Sequence, residues 1–230
     1  MSKQTTDTLE RAATGLGGRF YGVHPATVID NQDPLGQGRV AVLLPMFGEG
    51  DSAAMLWARV AVPFAGNNRG TWFIPDVDDE VLVAFESGDP ARPIVIGSLW
   101  NGVDRPPETM DSQNSKKRIV TRTGVEITLD DDDRALTLKT PAGRTLTLDD
   151  TTDTVEINDN TGNTIKITNG EISVSATTKV KIAAAVVEIE ANMITADTGM
   201  AQFSGVVKCD TMMANSVIAS SYTPGAGNVW

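Results

Sequence analysis

A single cysteine and a single histidine set the first limits on this chain of 230 residues. Cys209 has no partner for an intrachain disulfide, so stability has to come from packing or assembly. His24, alone, removes most routes to a zinc centre or a His-based nucleophile. Positive charge is also scarce, with 19 Lys and Arg against 30 Asp and Glu and a net charge of −11. That balance argues against nucleic acid as a partner, because phosphate binding relies on Lys and Arg displacing counterions. It argues equally against adhesion to anionic lipid. No apolar run approaches the roughly 18 residues of a membrane-spanning helix. Residues 1–18 are polar and read as a flexible lead without the apolar centre of a signal peptide. The expectation is a protein made in the cytoplasm that acts outside only through lysis or as part of a machine.

Residues 20–100 hold five of the six Phe and three of the four Trp. Turn punctuation recurs about every ten residues: Asp33-Pro34-Leu35-Gly36, Phe47-Gly48-Glu49-Gly50, Gly66-Asn67-Asn68-Arg69-Gly70 and Gly88-Asp89-Pro90. Short alternating or apolar runs lie between, at 27–30, 39–44, 57–62, 80–85 and 94–98. Several short strands at this spacing, with no helical period, predict a small barrel over 19–101. A linker over 102–118 follows, marked by Pro106-Pro107.

From Ile119 the texture changes. Aromatics nearly vanish, and Pro141 is the only proline before Pro224. In their place runs a series of apolar pairs, each split by one polar residue: Ile127/Leu129, Leu136/Leu138, Leu146/Leu148, Val155/Ile157, Ile165/Ile167, Ile172/Val174, Val180/Ile182 and Val187/Ile189. Each pair predicts a strand of period two with one apolar face. The repetition predicts a regular array over 119–220.

A meander of such strands makes one sheet with one apolar face, and that face needs a partner. The pattern predicts three chains about one axis, each supplying a wall at every level, with the chain stepping from face to face. A core this narrow accepts Val, Ile and Leu and excludes Phe and Trp. An ordinary β-sandwich and a single-chain solenoid are the alternatives. The sixteen paired aliphatics are the predicted trimer core.

The barrel half resembles a known family. Asn31 to Val40, with Gly36-Gln37-Gly38-Arg39 inside it, and then Leu43-Leu44-Pro45 look like the opening hairpin of the OB-fold in phage baseplate assembly protein V and VgrG proteins. Trp57-Ala58-Arg59-Val60, Gly70-Thr71-Trp72-Phe73-Ile74-Pro75, Asp79-Glu80-Val81-Leu82-Val83 and Gly88-Asp89-Pro90 through Trp100-Asn101 follow in the family's order. The resemblance implies an all-β chain: an N-terminal OB-fold barrel followed by an intertwined triple-stranded β-helix in a homotrimer. It implies a structural central spike of a contractile injection machine, with no enzymatic activity and no cofactor. Its partners would be baseplate hub and tail-tube proteins, and the target envelope would be contacted only transiently. The gap between Asn101 and Ile119 is too short for the lysozyme some phage spikes carry. Some short spikes end in a histidine-bound iron. No histidine follows His24, so the resemblance implies a separate PAAR-like tip protein docked on 221–230, at Ser221, Tyr222, Thr223, Pro224, Asn228 and Trp230. The contrasting reading is a β-rich binding module, an OB-type ligand binder or adhesin.

Other candidate residues carry less. Gly36-Gln37-Gly38 lacks the Lys-Ser/Thr of a phosphate loop and reads as a hairpin turn. Asp130 to Asp133, echoed by Asp149-Asp150, could gather calcium but reads first as a solvated turn. His24 reads as structural and Cys209 as a small buried group. The barrel's aromatics read as core and subunit contacts. No catalytic, cofactor-binding or metal residues are expected.

Overall fold

The computed structural model describes residues 19–47 and 55–221. The chain divides into two units, with the boundary between Val180 and Lys181. The described part of the first is all β apart from short 3-10 turns.

Five strands form a closed barrel: β1 (Val23–Asp30), β2 (Val40–Leu43), β3 (Met55–Val60), β6 (Glu80–Phe85) and β7 (Pro93–Ser98), in the order β1-β2-β3-β7-β6. A small hairpin of β4 (Ala65–Gly66) and β5 (Arg69–Gly70) lies between β3 and β6 in sequence. All barrel neighbours are antiparallel except β3 and β7, which run parallel where Arg59 meets Ile94 and Val60 meets Val95. This is the five-stranded closed topology of an OB-fold. β1 turns the barrel's corner through a register shift between Val28 and Asp30.

Alternation of inward residues builds the core. Val28, Val40, Val42, Leu44, Ala58, Val81 and Val83 are completely buried, with Ala26, Val95, Phe20 and Phe85 closing the cluster. Burying one such aliphatic side chain stabilises by about 1.5–3 kcal/mol. The barrel's aromatics divide between core and surface. Among the described residues Phe20 and Phe85 are the aromatics of the barrel core, while Phe64, Trp72, Phe73 and Trp100 are exposed in the single chain.

The second sheet is a seven-stranded antiparallel meander: β8 (Lys116–Val120), β9 (Glu126–Asp130), β10 (Ala135–Lys139), β11 (Thr145–Asp149), β12 (Thr154–Asn158), β13 (Thr164–Thr168) and β14 (Glu171–Ser175). Its first strand starts at Lys116, three residues before the aliphatic at which the array was expected to begin. Across 116–175 the chain does not step from face to face as expected. Each strand returns on its predecessor as a hairpin within one sheet. The cause lies in the returns, which carry left-handed glycines that let the chain reverse: Gly124, Gly143, Gly162 and Gly170, at φ of 84°, 79°, 97° and 88°.

No strand occurs among the described residues 176–221. Val180/Ile182 and Val187/Ile189 therefore do not form strands of this chain's own sheets, contrary to the pair pattern. An alternating segment becomes a strand only where another strand takes up its backbone groups, and among the described residues none pairs with these. Cys209, expected to be buried, is exposed for the same reason.

Candidate functional site: the apolar face of the second sheet

The cross-strand register brings the predicted pairs together in two columns on one face. One runs Ile119, Ile127, Leu138, Leu146, Ile157, Ile165, Val174, each residue directly opposite the next. The other runs Lys117, Leu129, Leu136, Leu148, Val155, Ile167, Ile172. Twelve of the sixteen predicted core residues thus form one continuous stripe, two side chains wide. Val180, Ile182, Val187 and Ile189 lie beyond it, exposed.

None of the stripe's residues is buried. Exposure reaches 57% at Val174 and 72% at Ile172. Together they form a contiguous exposed apolar stripe, the kind of surface that marks an interaction site on a soluble protein.

The opposite face is polar and tied to itself. Its centre column runs Arg118, Thr128, Thr137, Thr147, Glu156, Lys166, Ser173. Arg118 donates to Glu126 at 2.7 Å, to Glu108 at 3.0 Å and to the Thr128 hydroxyl at 3.2 Å. Lys166 lies 3.9 Å from Glu156, and Lys139 lies 3.9 Å from Glu126. The sheet therefore has one self-satisfied face and one face without partners.

Both hairpin edges are built from repeated turns. Thr121, Thr140 and Asp159 each accept, through a side-chain oxygen, the backbone N–H four residues on, at 3.0, 3.2 and 3.0 Å. These residues recur every 19 positions, as do Gly124, Gly143 and Gly162. This two-strand period was visible in the sequence but hidden behind the shorter spacing of the apolar pairs. Asn160 donates to the Ala142 carbonyl at 3.0 Å, tying one turn to the next. On the other edge, the Asp130 carboxylate accepts from the N–H groups of Asp132 and Asp133 at 3.1 and 3.3 Å. Asp149 does the same for Thr151 and Thr152 at 2.8 and 2.9 Å. The acidic run thus works as a turn, and among the described residues no cluster of His, Cys, Asp or Glu is arranged to hold a metal.

Hydrogen bonds hold several of these carboxyls below the usual range. For Asp159 the largest cause is the Thr161 hydroxyl, then the Asn163 amide; for Asp149 it is the Thr152 backbone N–H.

In the barrel, Asp33 organises the β1–β2 loop. Its carboxylate, 4% exposed, accepts from Arg39 Nη2 at 2.7 Å and from the N–H groups of Leu35, Gln37 and Arg39. The Arg39 guanidinium is the main cause of its lowered pKa, and Asp33 in turn raises that of Arg39. Arg39 also lies over the Trp57 ring, 5.6 Å from its centroid. Gly36 and Gly38 adopt positive φ in this loop, which is the expected hairpin turn. His24 packs between Phe20 and Phe85, with ring centroids 6.2 and 5.7 Å away. Of the expected docking residues, Ser221 is exposed; Tyr222, Thr223, Pro224, Asn228 and Trp230 lie outside the described residues.

Residues 24–100, the barrel, match the family model described as type VI secretion system/phage-baseplate injector OB domain. The barrel is thus similar to an injector OB domain. Over part of its length the chain is similar to VgrG proteins. It is 33% identical over 88 residues to the actin cross-linking toxin VgrG1 of Vibrio cholerae, covering 37% of this chain and 8% of that protein. It is 33% identical over 88 residues to the type VI secretion system spike protein VgrG3 of Vibrio cholerae, covering 37% and 9%. It is 36% identical over 84 residues to the spike protein VgrG4b of Pseudomonas aeruginosa, covering 36% and 10%. The chain thus spans about a tenth of the length of these relatives.

Proposed function

We propose that this chain is a structural spike of an injection machine, and that it assembles as a homotrimer by packing three copies of the apolar stripe about one axis. The observation that carries this reading is the contrast between the two sides of one sheet. Each strand is laddered to its neighbours and the polar face carries ion pairs of its own, yet no aliphatic of the stripe is buried. A stripe only two side chains wide suits a three-walled prism, in which six aliphatics fill each layer. Closed cyclic symmetry also lets identical surfaces cover one another without open-ended growth. The matching relatives, named as spike proteins, support a structural role in a secretion or injection system.

In this reading the barrel joins the trimer to baseplate hub and tail-tube proteins. The sheet and the residues after it form a triple-stranded needle, and a PAAR-like protein caps the end around Ser221 and the residues that follow. The work is mechanical, contact with the target envelope is transient, and the chain itself catalyses nothing. The name of the actin cross-linking relative does not extend to this chain, because the similarity spans 88 residues, 8% of that protein.

Replacing Ile165 and Ile167 together by Asp tests the proposal. Six carboxylates would enter one layer of the closed interior, where unpaired charge is not tolerated. The expected result is loss of the trimer with the barrel still folded. A normal trimer from this variant would contradict the packing proposed.

A further inference from the structure

The dipeptide Asn-Gly occurs twice in the chain, at Asn101-Gly102 and at Asn169-Gly170. Asparagine is a labile residue, and most so before glycine, which has no Cβ to hold its backbone nitrogen away from the preceding carboxamide. The fold places the two copies in opposite surroundings.

Just past β7, the Asn101 carboxamide is held at both ends. Its Nδ2 donates to Glu80 at 2.9 Å and to Asp104 at 3.2 Å. Its Oδ1 accepts from the N–H groups of Val103 and Asp104 at 2.8 and 2.7 Å. The backbone is clamped as well, since the Asn101 N–H donates to the Asp104 carbonyl at 2.9 Å. These bonds fix the plane of the carboxamide, so its carbon does not turn towards the Gly102 nitrogen.

Asn169 and Gly170 form the return between β13 and β14, with Thr168 directly opposite Glu171. Both residues are exposed. Among the described residues, no hydrogen bond engages the Asn169 side chain or the Gly170 N–H. At Gly124 and Gly143 the corresponding N–H is occupied, donating to the Thr121 and Thr140 carbonyls at 2.8 Å in each case. Nothing stands within 4 Å of where a Cβ of Gly170 would be. The carboxamide is free to turn, the backbone nitrogen is unoccupied and the space between them and solvent is open.

We propose that Asn169 is a site of spontaneous modification, and that the same dipeptide at Asn101 is preserved by the fold. The Gly170 nitrogen, losing its proton to hydroxide, attacks Asn169 Cγ. An N–Cγ bond forms, the Cγ–Nδ2 bond breaks, and ammonia leaves with a proton taken from water. Water then opens the cyclic imide at either carbonyl, leaving aspartate or isoaspartate. Either product adds a negative charge beside Glu171. Isoaspartate also adds a carbon to the main chain of a return whose length is fixed by the Thr168–Glu171 register. The strain falls on β14, where Ile172 and Val174 end the apolar columns.

The chemistry needs only one chain, so the test uses the unaltered full-length protein. It is incubated at mildly alkaline pH, sampled at intervals, digested in acid and mapped by mass spectrometry. The peptide holding Asn169 should gain the mass difference between a hydroxyl and an amino group. It should also split into two chromatographic forms, one of them a substrate for an isoaspartate methyltransferase. The peptide holding Asn101 should convert several-fold more slowly. In denaturant the two should convert at matching rates, since both asparagines precede glycine. An intact Asn169 in the folded protein, or loss of Asn101 as fast as Asn169, overturns the proposal. So does a rate difference that persists in denaturant, which would place its cause outside the folded hydrogen bonds. Hydrogen exchange reads the consequence: β14 should exchange faster in the aged chain than in the fresh one, and equal exchange contradicts the strain assigned to it.

Discussion

Ile165 stands directly opposite Val174 across the β13–β14 ladder, yet the two remain 41% and 57% exposed. Two aliphatics in good cross-strand register normally mark the inner face of a core. Here the register is set and the core is missing from the single chain. The polar residue beside each, Lys166 and Ser173, sits on the face that is already satisfied.

The barrel should be stable independently of the stripe. Leu44 is completely buried among Val40, Val42 and their neighbours. Leu44→Ala should lower the stability of the barrel by about 2–5 kcal/mol through lost contact and a residual cavity. Denaturant unfolding followed by Trp57 fluorescence would check this. An unchanged midpoint would contradict the packing described.

The turns should be intolerant of side chains. Gly143 sits at φ 79°, and a Cβ there would stand 2.8 Å from Asn160 Nδ2. Gly143→Val should destabilise the sheet by about 1–3 kcal/mol, from backbone strain and loss of the Asn160 tie. Gly170, with open space around its Cβ position, should accept Asn with a smaller loss. Comparing the melting temperatures of the two variants checks the ordering.

Acid should weaken the fold in a defined direction. Asp33, Asp149 and Asp159 all have folded pKa values held below the ordinary carboxylate range. Their contribution is fully present above the unfolded value of about 3.9 and is lost as pH falls through the lower folded values. Unfolding midpoints should therefore drop as pH is lowered from about 5 to about 2. Asp159→Asn should flatten part of that slope, because Asn does not titrate. An identical slope in the variant would show that Asp159 does not take part.

How much of this was legible in the sequence depended on whether the governing contacts lay within one chain. The five barrel strands were readable because turn residues such as Asp33 and Gly88 punctuate them and because Val81, Val83 and Phe85 alternate inward. The aliphatic pairs were equally readable, and each from Ile127 to Val174 takes its place in one of two columns. The direction of chain travel was misjudged, because the glycines at 124, 143 and 162 allow hairpin returns that the apolar spacing alone does not reveal. Which aromatics enter the core and which stay on the surface, as Trp72 and Trp100 do, was not legible, because composition does not record where each ring points. Val180 and Ile182 look like another strand in sequence, but a strand also needs a neighbour, and within one chain they have none.

Everything rests on whether the bare stripe is covered by copies of itself. Light scattering of the purified full-length chain answers this most directly. A trimer of 24.4 kDa chains should give a mass of about 73 kDa that is unchanged on dilution. A stable species of 24.4 kDa would contradict the account.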